Sequence, residues 1–126
     1  MSSVDYESLI VSIPDYPEPG VIFKDITPLL ASPEGFQATV DALVESAPEG
    51  VDVVVGMEAR GFIFAAPVAL ALGAGFVPVR KPGKLPGDVY TQTFSLEYGH
   101  ETLAVHRDAI PPGSRVLVID DVLATG

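Results

Sequence analysis

Two adjacent carboxylates, Asp120 and Asp121, directly follow the apolar run Val116–Ile119, and a small-residue turn, Ala124-Thr125-Gly126, comes just after them. In an open α/β sheet ligands bind beyond the carboxyl ends of the strands, so this acid pair stands where a site is expected. Paired carboxylates can accept hydrogen bonds from two vicinal hydroxyls, as on a ribose, or hold a hydrated Mg²⁺. A small-residue turn can offer backbone N–H groups to a phosphate, helped by the dipole of a helix that follows. The same residues also suit an ordinary strand end with a solvated Asp pair.

A second candidate is a basic island. The chain has 7 Lys and Arg against 17 Asp and Glu, a net charge of −10. No acid lies between Ala59 and Gly87, yet Arg60, Arg80, Lys81 and Lys84 all do. Such a balance argues against a nucleic-acid surface and suits a small polyanion better than a long polymer, although charge alone also allows a chance placement. Glu58 and Ala59 stand just before Arg60, and on the bland reading Arg60 starts a helix and pairs with Glu58 on the surface. With no cysteine there is no disulfide, zinc cluster or thiol nucleophile, and an intracellular setting is the simpler one. His100 and His106 form no metal-binding pattern, and no Ser/His/Asp set can be argued.

The elements that must position these groups read as one α/β domain over residues 1–126. Tyr6, Leu9, Ile10 and Ile13 recur at helical spacing up to Pro14, and Pro14 to Pro28 reads as an ordered loop. Ser32-Pro33 predicts a helix start, followed by an apolar stripe of Phe36, Val40, Leu43, Val44 and Ala47. Val51 to Val55, closed by Gly56, and Phe76 to Val79 predict parallel strands around a helix from Phe62 to Leu72, with Pro67 and Pro78 as local conflicts. The uncharged run from Gly61 to Val79 is long enough to raise a membrane span, but Pro67, Gly73, Gly75 and Pro78 divide it. Met1 to Asp5 lacks the features of a secretory signal. Val89 to Leu96 and Glu101 to Val105 alternate like a hairpin with Tyr98-Gly99-His100 at or near its turn, and Val116 to Ile119 reads as the clearest buried strand.

The run VLVIDDVLATG (116–126) closely resembles the phosphoribosyl pyrophosphate signature of type I phosphoribosyltransferases. PGVIFKDITPLL (19–30), EARGF (58–62), RKPGKLPG (80–87) and SLEYG (95–99) then resemble, in order, segments of the adenine phosphoribosyltransferases. Four matches in order are far more specific than one. The resemblance implies a parallel sheet flanked by helices, an N-terminal base-binding hood segment and a hairpin flexible loop.

By the same resemblance Asp120 and Asp121 hold the ribose hydroxyls, and Ala124, Thr125 and Gly126 start the 5-phosphate loop. Met57 to Gly61 matches the pyrophosphate loop, including Glu58 and Ala59, with Arg60 facing the leaving group; a guanidinium fork can pair two phosphate oxygens. Arg80, Lys81 and Lys84 correspond to the basic residues at the base of a mobile loop. Glu97 is placed near the purine and Tyr98 across the closed loop. Ile22, Phe23 and Lys24 match the segment that sandwiches adenine, where lysine replaces the family's frequent arginine and loses its bidentate fork.

The implied reaction is Mg²⁺-dependent transfer of the 5-phosphoribosyl group from phosphoribosyl pyrophosphate to adenine, giving AMP and pyrophosphate, by a cytoplasmic homodimer with no membrane or nucleic-acid partner. Arg60, Lys84 and Glu97 would be its catalytic residues. An enzyme for another base, or a donor-binding regulator without catalysis, shares the phosphate machinery. Family members continue past this Thr-Gly, so the expectation is that residues 1–126 lack the family's C-terminal portion, are inactive alone and are exposed along one side of the sheet.

Overall fold

A computed structural model describes residues 7–96 and 99–120. The chain divides into two compact units, residues 1–45 and 46–126.

In the first unit the expected helix up to Ile13 is replaced by one 3-10 turn, Glu7–Leu9, and a strand, β1 (Val11–Pro14). The expected loop likewise contains a strand, β2 (Ile22–Asp25), paired antiparallel with β1 from Val11↔Asp25 to Pro14↔Ile22. Val11 and Ile13 are β-branched and lie two apart, a pattern that a strand accommodates as well as a helix, and the Pro14 stop leaves the helix too short to hold itself. Gly20, at φ 87°, donates its N–H to Asp15 Oδ1 at 2.9 Å to close the turn. A short helix α1 (Thr27–Ala31) follows, and α2 (Pro33–Ser46) starts where Ser32-Pro33 predicts. The Ser32 hydroxyl oxygen accepts the Gly35 N–H at 3.0 Å, as a capping serine does, and Val40 of the apolar stripe is buried.

The second unit is built on a three-stranded parallel sheet in the order β4-β3-β7, formed by β3 (Val53–Met57), β4 (Gly75–Val79) and β7 (Val116–Ile119). Central β3 begins two residues later than the Val51 expected and runs through Gly56 instead of stopping there. Helix α3 (Arg60–Leu72) joins β3 to β4 and ends on Gly73, whose left-handed φ of 66° suits glycine. It continues through Pro67, at the cost of one backbone hydrogen bond. Pro78 is tolerated because, among the described residues, β4 is an end strand of this sheet and pairs with β3 alone.

Side chains alternate across the sheet. Val53 and Val55 pack with Val77 and with Met57, Val79, Val105, Ala109 and Ile110. Val54 and Gly56 take the other face, where a Cβ on Gly56 would lie 2.8 Å from the Ala65 methyl and 2.9 Å from the Phe76 ring. Glycine here lets α3 lie directly on the strand, over a core that includes Phe64, Ala65, Val68 and Ala69.

Strand β7 is less buried than its sequence implies: Ile119 is buried, but Val116 and Val118 are 41% and 61% exposed. Among the described residues β7 pairs with β3 alone. The expected hairpin is present as β5 (Val89–Leu96) and β6 (Gly99–His106), in register from Val89↔His106 to Leu96↔Gly99. Its connection, Glu97-Tyr98, lies outside the described residues. No helix among the described residues is long and apolar enough to cross a membrane.

Candidate active site

Each strand of the parallel sheet ends on a charged residue already singled out in the sequence. Glu58 follows β3, Arg80 follows β4 and Asp120 follows β7. Because the strands are parallel and Gly56 is in register with both Pro78 and Ile119, these three residues emerge at one edge of the sheet.

The turn from β3 into α3 passes through a cis Glu58–Ala59 peptide, with Ala59 as the residue before the helix and Arg60 as its first residue. Next comes Gly61, which is buried against the end of β7. A Cβ there would stand 2.8 Å from the Ile119 carbonyl oxygen and 3.3 Å from both Asp120 Cα and its Oδ1. The first turn of α3 and the Asp120 carboxylate are thus brought together around one glycine. Arg60 is half-buried and Asp120 is exposed.

Glu58 is not the solvated surface acid of the bland reading. Its side chain is only 7% exposed, and its Oε1 accepts hydrogen bonds from Arg80 Nε at 3.0 Å and from the Lys81 N–H at 3.1 Å. Lys84 Nζ lies 3.6 Å from Oε2. Burial acts to raise the pKa of this carboxyl, but the Lys81 N–H, the Arg80 hydrogen bond and the Lys84 and Arg80 charges together outweigh it. The net result is a pKa below the ordinary 4.5.

Three of the four basic residues of the island are therefore gathered on one acid, Lys81 through its backbone and with an exposed side chain. Arg80 is further fixed by backbone hydrogen bonds to Ala104 of β6 in both directions, 2.9 and 2.7 Å, and by Nη1, which reaches the Lys84 carbonyl at 3.5 Å. Its guanidinium lies 5.9 Å from the centre of the Phe62 ring, and Phe62 meets Phe76 edge-on at 5.8 Å. Phe62 escaped the sequence reading as a site residue, although it follows Arg60-Gly61 directly and an aromatic beside an arginine island was a usable signal.

On the far side of the Lys81 to Gly87 loop, His106 Nε2 is 2.8 Å from the Pro86 carbonyl. The Arg107 N–H donates to Asp88 O at 3.1 Å and its Nε to Val89 O at 3.2 Å. The guanidinium of Arg107 also stacks 4.8 Å above Tyr90. These anchors had no signal in the sequence, since they depend on the β5–β6 register.

The proposed base contacts belong to the first unit. Ile22 is exposed, Phe23 meets Tyr16 edge-on at 5.2 Å, and Lys24 donates from Nζ to Ser12 Oγ at 2.6 Å. Ser12 is a partner that the sequence reading missed. Glu97, Tyr98, Asp121, Ala124, Thr125 and Gly126 lie outside the described residues.

Among the described residues no group of three or more His, Asp or Glu is arranged to hold a metal ion. The chemistry of the donors fits a divalent ion bound through one or two carboxylates and otherwise by oxygens of a ligand, as Mg²⁺ often is.

Residues 29–126 match the phosphoribosyl transferase domain family. The chain is 71% identical over 118 residues to an adenine phosphoribosyltransferase of Cutibacterium acnes, covering 94% of this chain and 67% of that protein. It is 62% identical to one from Thermobifida fusca, covering 90% and 65%. It thus spans about two thirds of the length of these relatives. Among solved structures it superposes on an adenine phosphoribosyltransferase from Thermoanaerobacter pseudethanolicus with a TM-score of 0.91 at 46% identity, covering 96% of this chain and 71% of that one. The Saccharomyces cerevisiae enzyme, solved with adenine and an imino-altritol bisphosphate, gives 0.89 at 44% identity, covering 96% and 72%.

Proposed function

The chain belongs to the adenine phosphoribosyltransferases, and on that premise we propose that the full-length protein transfers the 5-phosphoribosyl group of phosphoribosyl pyrophosphate to N9 of adenine, releasing pyrophosphate and forming AMP. The observation that carries this reading is the delivery of Glu58, Arg80 and Asp120 to one sheet edge by three parallel strands, beside the first turn of α3. A sugar that carries a diphosphate needs an acid for its hydroxyls and cations for its phosphates in one place.

Breaking the bond at the anomeric carbon develops positive charge on the ribose and negative charge on the pyrophosphate, so positioning and electrostatics do most of the catalysis. Asp120, with Asp121, accepts hydrogen bonds from the ribose hydroxyls. Arg60, Arg80 and Lys84 face the leaving pyrophosphate, with Lys81 at the base of their loop, and Ala124, Thr125 and Gly126 begin the 5-phosphate loop. Mg²⁺, held mainly by the donor's own oxygens and by Asp120 or Asp121, would neutralise part of the pyrophosphate charge. Ile22, Phe23 and Lys24 contact the adenine, Glu97 manages the purine proton and Tyr98 packs across the closed loop, whose closure keeps water from the donor. Lys24, already bonded to Ser12, leaves much of the base recognition to backbone groups.

The protein acts in the cytoplasm as a homodimer on this reading. Offering adenine, hypoxanthine, xanthine and uracil to the full-length protein with the donor tests the assignment. Turnover of adenine alone is expected, preference for another base would contradict it, and donor binding without turnover would make the protein a regulator.

A further inference from the structure

We infer that Glu58, which the sequence marks only as part of a ligand loop, is a positioning residue that assembles the pyrophosphate site before the donor arrives. The inference rests on the proposed phosphoribosyl transfer and deepens it. Arg80 and Lys84 carry like charges and sit on different supports. Arg80 is bonded through its backbone to β6, whereas Lys84 is 51% exposed on a loop rich in glycine and proline. Left to themselves, these two cations would separate and the lysine would move into water.

The buried Glu58 carboxylate removes that repulsion. Its Oε1 fixes Arg80 Nε and the Lys81 N–H, which sets the start of the loop, and its Oε2 draws the Lys84 ammonium to 3.6 Å. One acid against two cations leaves the cluster with a net positive charge. Among the described residues Arg80 Nη2 has no protein partner, and the ammonium of Lys84 retains donors for an anion. The ordering of a long lysine and its loop has thus largely been done in the free protein, and the bound anion is spared that cost. Glu58 itself repels phosphate, so its contribution passes entirely through the cations that it holds.

The test is calorimetric titration of the full-length protein with pyrophosphate in the presence of Mg²⁺. Glu58→Gln keeps an oxygen for Arg80 and the Lys81 N–H but turns an uncharged amide toward Lys84. We expect its affinity for pyrophosphate to fall about tenfold, with the KM for adenine little changed. In a Lys84→Ala background the same substitution should change affinity less than about twofold, because the cation through which it acts is gone. Glu58→Asp, which restores the charge, should recover to within about threefold of the parent, and it serves as the second variant if Glu58→Gln does not fold. Unchanged or tighter binding in Glu58→Gln, an equal loss without Lys84, or no recovery in Glu58→Asp would each overturn the inference. A parent protein that binds pyrophosphate but makes no AMP from adenine would instead count against the proposed reaction and leave this inference standing.

Discussion

Gly61 passes so close to Ile119 that a Cβ on the glycine would sit 2.8 Å from the isoleucine carbonyl oxygen. Backbone on both sides makes this contact, so neither side can yield by changing a rotamer. The first turn of α3 and the end of β7 are therefore held at a separation that only glycine allows, and this separation sets Asp120 against Gly61 in that turn.

Gly61→Ala must then push α3 away from β7. The expected destabilisation is about 1–3 kcal/mol, the usual cost of overpacking, read as a lower midpoint in urea unfolding. Weaker donor binding should accompany it, because Asp120 moves with the strand end. Parent-like stability and binding would show that the contact relaxes without cost.

Arg60→Ala should lower turnover about 100-fold, as loss of one charge-stabilising donor commonly does, with a much smaller change in the KM for adenine. Steady-state kinetics on the full-length protein reads this directly. Unchanged kcat would remove Arg60 from the mechanism.

Acid should loosen the Glu58 cluster. The folded protein holds this carboxyl below its ordinary pKa of 4.5, so the proton is bound more weakly in the folded than in the unfolded chain. The stability that it contributes is complete above 4.5 and is lost as pH falls through the lower folded value. The difference in unfolding midpoint between the parent and Glu58→Gln should be constant at neutral pH and shrink only below that point. A difference that faded between neutral pH and 4.5 would mean that the carboxyl is not held low.

Arg107→Ala removes both a hydrogen bond to Val89 O and the stacking on Tyr90 at the base of the hairpin. About 1 kcal/mol of stability should go with them. Hydrogen exchange should quicken in β5 and β6 while β3 stays protected; uniform quickening would argue that the hairpin does not open on its own.

Much of this was legible in the sequence because the strongest signals are local. The β-branched run of β3, the Ser32-Pro33 start of α2, the Gly73 stop of α3 and the alternating arms of the hairpin each depend on a few neighbouring residues. The beginning of the chain was misread because Leu9, Ile10 and Ile13 fit helical spacing while Val11 and Ile13 also fit alternation. Pairing with Ile22–Asp25, a partner that the chain meets only after a turn, decides between them. Burial of β7 was overestimated for a related reason: Val116 to Ile119 are uniformly apolar, yet whether a strand's face is covered depends on what packs against the sheet there, and Val116 and Val118 stay exposed. Arg60, Arg80, Lys84 and Asp120 were found as types and as members of family motifs. That Glu58 gathers two cations 22 and 26 residues away could not be read locally, since it follows from the parallel register of β3 and β4.

Incubating the full-length protein with adenine, phosphoribosyl pyrophosphate and Mg²⁺, and measuring nucleotide and pyrophosphate together, tests the proposed transfer. AMP and pyrophosphate should form in equal amounts, with no nucleotide when hypoxanthine replaces adenine. Nucleotide formed from another base but not from adenine, or donor bound and no product at all, would contradict it.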